Sequence, residues 1–217
     1  MIVRIRLAAA LAAAGLLAAG CGATTAHDHS AASPPATVSA SGSGSQQKYA
    51  GINLAQPYHR PTFTLTDTAK KPFDFTTATG KRPTLLYFGY TRCPDVCPTT
   101  MADIAVALRG MDRATAEKVQ VVFVTTDPAH DTPAVLGEYL HRFDADLPVR
   151  FVGLTGKQDA IDQAQLSAGV PLAEDDGKTH SSLLLLYGKD DQAHVAFDAG
   201  NTSRDIASDL RQVAGAS

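Results

Sequence analysis

Two uncharged apolar runs, Pro83 to Tyr90 (PTLLYFGY) and Val119 to Thr126 (VQVVFVTT), most constrain what this chain can become. Their apolar continuity and β-rich content predict buried strands. Between them Pro98 to Met111 reads as a helix. After the second run Thr132 can cap a helix that starts at Pro133 and runs to about Phe143. A short strand at Arg150 to Leu154 and a helix at Lys157 to Ala168 follow. Ser181 to Tyr187 and His194 to Asp198 form a strand pair around the turn Gly188-Lys189-Asp190-Asp191, and Ser203 to Val213 is an amphipathic closing helix. Upstream, Phe63 to Thr68 and Pro72 to Phe75 read as a hairpin turning at Ala69-Lys70-Lys71. The expected fold class is therefore α/β, a sandwich with a central mixed sheet flanked by helices.

The folded part starts late. Met1 to Arg6 carries Arg4 and Arg6, and Leu7 to Ala19 is an uncharged Ala/Leu-rich run of about 13 residues. That length falls within the roughly 7–15 residues of a signal-peptide core and short of the roughly 20 of a membrane span. It ends in Leu17-Ala18-Ala19-Gly20-Cys21, which resembles the lipobox of bacterial lipoproteins, with Ala18 where Leu is usual. Residues 1–20 are thus expected to be a signal peptide and Cys21 the lipidated residue, placing the chain on the extracytoplasmic side of the cell membrane. Residues 21–50 are rich in Ser, Ala, Thr, Gly and Pro and read as a flexible linker. His27-Asp28-His29 inside it is read as an incidental cluster. Residues 51–217 are left as the domain. With 19 Lys plus Arg against 22 Asp plus Glu, a formal charge of −3 and no basic stripe, nucleic acid is not an expected partner. Nor does the chain carry a polybasic second anchor, so a lipid would hold it alone.

The chemistry lies in Tyr90-Thr91-Arg92-Cys93-Pro94-Asp95-Val96-Cys97-Pro98, at the junction of the first buried strand and its helix. With Cys21 set aside, Cys93 and Cys97 are the only thiols left. Pro98 suits the first position of a helix and places Cys97 at the helix N-terminus, while Pro94 keeps Cys93 in the loop. The N–H groups and dipole at that end are expected to stabilise a thiolate. The spacing fits a disulfide, a redox pair or two soft ligands for one metal ion, and does not choose among them. Strands alternating with helices and finishing in a hairpin plus helix suggest a thioredoxin-type sandwich. In such oxidoreductases a proline normally precedes the strand facing the cysteines. Here that stretch is Lys178-Thr179-His180-Ser181. His180 in that place would complete a Cys, Cys, His set suited to copper or zinc. His59, His130, His141 and His194 have no comparable setting.

In order along the chain, FGYTRCPDVCPTT, FVTTDPAHDTPAVLGEYLHRF, GLTG and THSSLLLLYG resemble the Sco/SenC family of copper chaperones over residues 50–215. The resemblance implies a thioredoxin-like fold holding one copper ion through Cys93, Cys97 and His180. It also implies delivery of copper to the dinuclear copper site of cytochrome c oxidase subunit II. An extracytoplasmic copper donor and a thiol reductant are then expected partners. Family members commonly carry Asp before the histidine, whereas this chain has Thr179, which removes a neighbouring acceptor or charge. Asp127-Pro128 to Asp131-Thr132 matches as well and is explained by a turn and a helix cap. Two other functions stay open: a thiol–disulfide reductase acting on the oxidase cysteines, and a redox or copper sensor. No Thr-x-x-Cys peroxidatic arrangement is present.

Overall fold

The computed structural model describes residues 47–175 and 177–215, so residues 1–20, Cys21 and His27-Asp28-His29 lie outside it. The described elements run β1 (Ile52–His59), β2 (Thr64–Asp67), β3 (Pro72–Asp74), α1 (Phe75–Thr79), β4 (Thr84–Gly89), α2 (Val96–Arg109) and α3 (Arg113–Ala116). They continue as β5 (Gln120–Thr125), α4 (Pro133–Asp144), β6 (Val152–Thr155), α5 (Gln158–Ser167), β7 (Leu184–Tyr187), β8 (Gln192–Phe197) and α6 (Ser203–Gly215). The strands form one mixed sheet in the order β1-β8-β7-β4-β5-β6-β2-β3. Its centre, β4-β5-β6, is parallel, and the outer strands add antiparallel.

Every residue of β4 and of β7 is buried, because each strand has a layer on both faces. Successive side chains divide between those layers. Leu85, Tyr87, Val121, Phe123, Leu184 and Leu186 face one core, where α2 supplies Met101, Ile104 and Leu108, α4 Leu136 and Leu140, and α6 Ile206 and Leu210. Leu86, Phe88, Val122, Val124, Leu185 and Tyr187 face the other, filled by Phe75, Ile161, Ala164 and the Phe63 ring. Thr132 caps α4 as expected, its hydroxyl accepting the Val135 N–H, with Pro133 in the first turn.

Several boundaries differ from expectation. β1 has no apolar alternation and contains Pro57; it is an edge strand whose register shifts between Asn53 and Tyr58, where a missing N–H costs little. The one-turn helices α1 and α3 are too short to carry a helical period. α2 begins at Val96, so Pro98 is its third residue rather than its first. Proline is accepted there because first-turn N–H groups have no partner within the helix. Packed contacts also begin two residues before 51. The Tyr49 ring is buried, and the buried Asp209 carboxylate accepts the N–H groups of Ala50 and Gly51 at 2.9 Å each.

Candidate metal centre

The sheet register brings the three expected residues together. β4 and β7 are antiparallel, with Tyr87 opposite Leu184. The chain before Leu184 therefore runs alongside the end of β4, towards the loop that carries Cys93. The Cys93 and Cys97 sulfurs and a ring nitrogen of His180 all lie within 4.8 Å of one another. Among the described residues no other group of three His, Cys, Asp or Glu side chains converges in this way. Both cysteines are unbridged thiols. The His180 Nε2 is 3.5 Å from the Cys97 Sγ, and its Nδ1 lies 2.9 Å from the Ser181 carbonyl oxygen. A carbonyl only accepts, so Nδ1 carries the proton and the Nε2 lone pair faces the sulfurs. Tyr87 and Tyr90 meet the imidazole edge-on, at 6.2 and 5.6 Å between ring centres, and fix its plane.

The two thiols are unequal, and not in the expected sense. The helix N-terminus serves Cys93: the Cys97 N–H points at the Cys93 Sγ from 3.4 Å. Partial burial opposes ionisation of Cys93, but the N–H groups of Cys97, Asp95 and Val96 outweigh it and hold its pKa below the ordinary thiol value. Cys97, the second helical residue, turns its sulfur into the core with no exposed surface. Burial, aided by the neighbouring Cys93, pushes its pKa up to about 12. Gly89 makes that depth possible, since a Cβ there would stand 2.9 Å from the Cys97 sulfur. The Tyr87 hydroxyl, kept protonated by burial, lies 3.7 Å from the same sulfur. Burial thus keeps the Cys97 sulfur a thiol at neutral pH. Iodoacetamide should accordingly modify reduced Cys93 at least about a hundredfold faster than Cys97, as read by peptide mass spectrometry. Equal labelling would contradict this asymmetry.

Asp131 does more than the turn role its sequence suggests. Its carboxylate is fully buried and accepts the Thr91 N–H at 2.9 Å, the Thr91 hydroxyl at 2.6 Å and the Thr125 hydroxyl at 2.7 Å. It thereby ties the start of the cysteine loop to the end of β5. Asp127 pairs instead with Arg92 and His130, at 2.9 Å each. His141 and His194 sit beside Asp144 and Asp190, outside the group of converging donors, and His59 is an exposed residue on β1. Thr179 donates to Asp175 at 2.8 Å rather than to His180.

Comparison with known proteins agrees with this architecture. The SCO1/SenC family model matches residues 53–215. The mitochondrial protein SCO2 of Saccharomyces cerevisiae is 37% identical over 113 residues, covering 52% of this chain and 34% of that protein. The human mitochondrial SCO1 homolog is 30% identical over 156 residues, covering 64% of this chain and 50% of that protein. The matches thus span about a third to a half of these relatives' lengths. Among solved structures, copper-bound ScoI of Bradyrhizobium japonicum superposes with a TM-score of 0.58 at 33% identity, covering 75% of this chain and 99% of that one. Apo Sco1 of Thermus thermophilus gives 0.64 at 26% identity, with coverages of 78% and 99%. With the family model matching residues 53–215 and solved structures of named members sharing the fold, the chain belongs to the SCO1/SenC family.

Proposed function

We infer that this protein is an exported copper carrier that binds one copper ion through Cys93, Cys97 and His180. We further infer that it delivers the ion to the dinuclear copper site of cytochrome c oxidase subunit II. The observation that carries the copper reading is the convergence of two thiol sulfurs with an imidazole nitrogen whose lone pair is directed at them. Two soft sulfurs and one borderline nitrogen suit copper better than magnesium or calcium. The copper-bound ScoI relative supports the same choice. Delivery to the oxidase rests on the family resemblance, and an extracytoplasmic copper donor and reductant are its required partners. The decisive measurement is copper stoichiometry of the reduced protein beside its Cys93→Ala and His180→Ala variants. One equivalent in the parent, lost in Cys93→Ala, is expected; an unchanged equivalent in Cys93→Ala would overturn the reading.

The inequality of the thiols favours a second reading, thiol–disulfide reduction, with half-buried Cys93 attacking and fully buried Cys97 resolving. That reading requires the cysteines but not the imidazole.

The extracytoplasmic, lipid-anchored location proposed for the site rests on the motif in residues 1–21. The charged opening, the short apolar run and the small residues before Cys21 support export and lipidation. Metabolic labelling with a fatty acid should mark the parent protein, and labelling should disappear in Cys21→Ser. Persistence of the label would reject the anchor.

A further inference from the structure

The segment that brings His180 to the cysteines is a small closed turn. The Glu174 N–H donates to the Thr179 carbonyl at 2.7 Å and the Thr179 N–H returns to Glu174 at 3.2 Å. The Gly177 and Lys178 N–H groups bond inside the same turn. These bonds shape the turn but do not say where it sits. Among the described residues, one hydrogen bond joins 174–179 to another part of the fold: the Thr126 hydroxyl donates to the Gly177 carbonyl at 2.7 Å. Thr126 is fully buried, and Gly177 is buried beside the exposed Lys178. Gly177 has φ +85°, and a Cβ on it would stand 1.9 Å from the Thr126 carbonyl oxygen, so only glycine permits this approach.

The same place in the fold holds the other half of the site. The Thr126 N–H donates to the Gly89 carbonyl at 2.7 Å, and Gly89 is the residue against which the Cys97 sulfur rests. Its neighbour Thr125 donates to Asp131, which holds the cysteine loop through Thr91. Two adjacent threonines at the end of β5 thus fasten the two segments that carry the donors, one each. Neither touches a donor atom.

We propose that Thr126 is a positioning residue: its hydroxyl, latched to the Gly177 carbonyl, sets the reach of His180 to the two sulfurs and so selects three-donor over two-thiolate copper binding. The inference rests on the copper reading of the site. Loosening the latch frees the turn while leaving Cys93 and Cys97 in place, so a Thr126 variant resembles a mild His180 deletion. Outer partners of ligand groups are worth roughly 10–100-fold in metal affinity, and about tenfold is the expected scale here.

The test compares Thr126→Val, which keeps the shape and removes the hydroxyl, with Thr126→Ser, which keeps the hydroxyl. Both are made in the full chain, with and without His180→Ala, and titrated with Cu(II) alone. Gly177→Ala serves as a second route to the same displacement. Thr126→Val should weaken Cu(II) binding by about tenfold and shift the thiolate-to-Cu(II) absorption towards that of His180→Ala. Thr126→Ser should behave as the parent. In the His180→Ala background, Thr126→Val should add less than about twofold, because the residue it positions is gone. Without metal, hydrogen exchange across 171–183 should speed up in Thr126→Val while exchange in α2 stays unchanged. Parent-like copper binding in both Thr126→Val and Gly177→Ala, beside a weakened His180→Ala, would overturn the latch and leave the copper site standing. An equal tenfold loss in the His180→Ala background would also overturn it, by showing a general structural effect. Unchanged binding in His180→Ala itself would instead remove the three-donor site, and the latch with it.

Discussion

Replacing His180 by alanine should weaken Cu(II) binding by more than about a hundredfold and Cu(I) binding by about tenfold or less. Cu(II) seeks several nitrogen or oxygen donors in a tetragonal arrangement, and the imidazole is the one nitrogen among the three converging side chains. Cu(I) is satisfied by two thiolates in a near-linear site, and Cys93 and Cys97 remain. Competitive titration of each oxidation state against a chelator of known affinity measures both effects. In cells lacking the parent protein, the variant should fail to restore copper loading of the oxidase under copper limitation. Full rescue by His180→Ala, with loss of rescue by either cysteine variant, would favour the reductase instead.

The second large effect is redox gating. A disulfide offers no thiolate, so the Cys93–Cys97 oxidised protein should hold less than about a tenth of the copper held by the reduced protein under identical loading. The sulfurs are close enough for the exchange, since all three donors fall within 4.8 Å. Loading through Cys97 should also release a proton, because burial pushes that thiol up to about 12 and keeps it protonated at neutral pH. Copper analysis of the two forms after gel filtration decides the matter. Equal copper in both would show that the sulfurs are not what binds it.

Sequence alone went far because the residues that organise this fold have strong local signatures. The apolar runs now called β4 and β5 could not be surface strands, and the prolines around Cys93 and Cys97 marked a loop meeting a helix. His180 could be placed because it stands where a thioredoxin-type sandwich normally has its proline, before the strand facing the cysteines, and the register of β7 against β4 agrees. What stayed hidden depends on contacts far apart in the chain. The depth of Cys97 is created by a missing Cβ at Gly89 and by the Tyr87 ring, so a helix-terminus argument assigned the favourable N–H groups to the wrong sulfur. Asp131 looked like a turn residue because its three donors come from Thr91 and Thr125, which only the folded sheet brings to it. β1 was missed because an edge strand with Pro57 and a register shift has no alternation to read.

The division of the sheet's side chains into two cores separates two kinds of evolutionary freedom. Cys97 lies in one core and Cys93 packs against it, whereas the layer containing Leu86, Phe88, Phe75 and Ile161 includes no residue of the site. Substitutions in that second layer can raise or lower the thermal endurance of the domain while the metal-facing layer keeps its geometry. Adaptation to a hotter or colder habitat therefore has the smaller of the two cores to work with before it meets the chemistry.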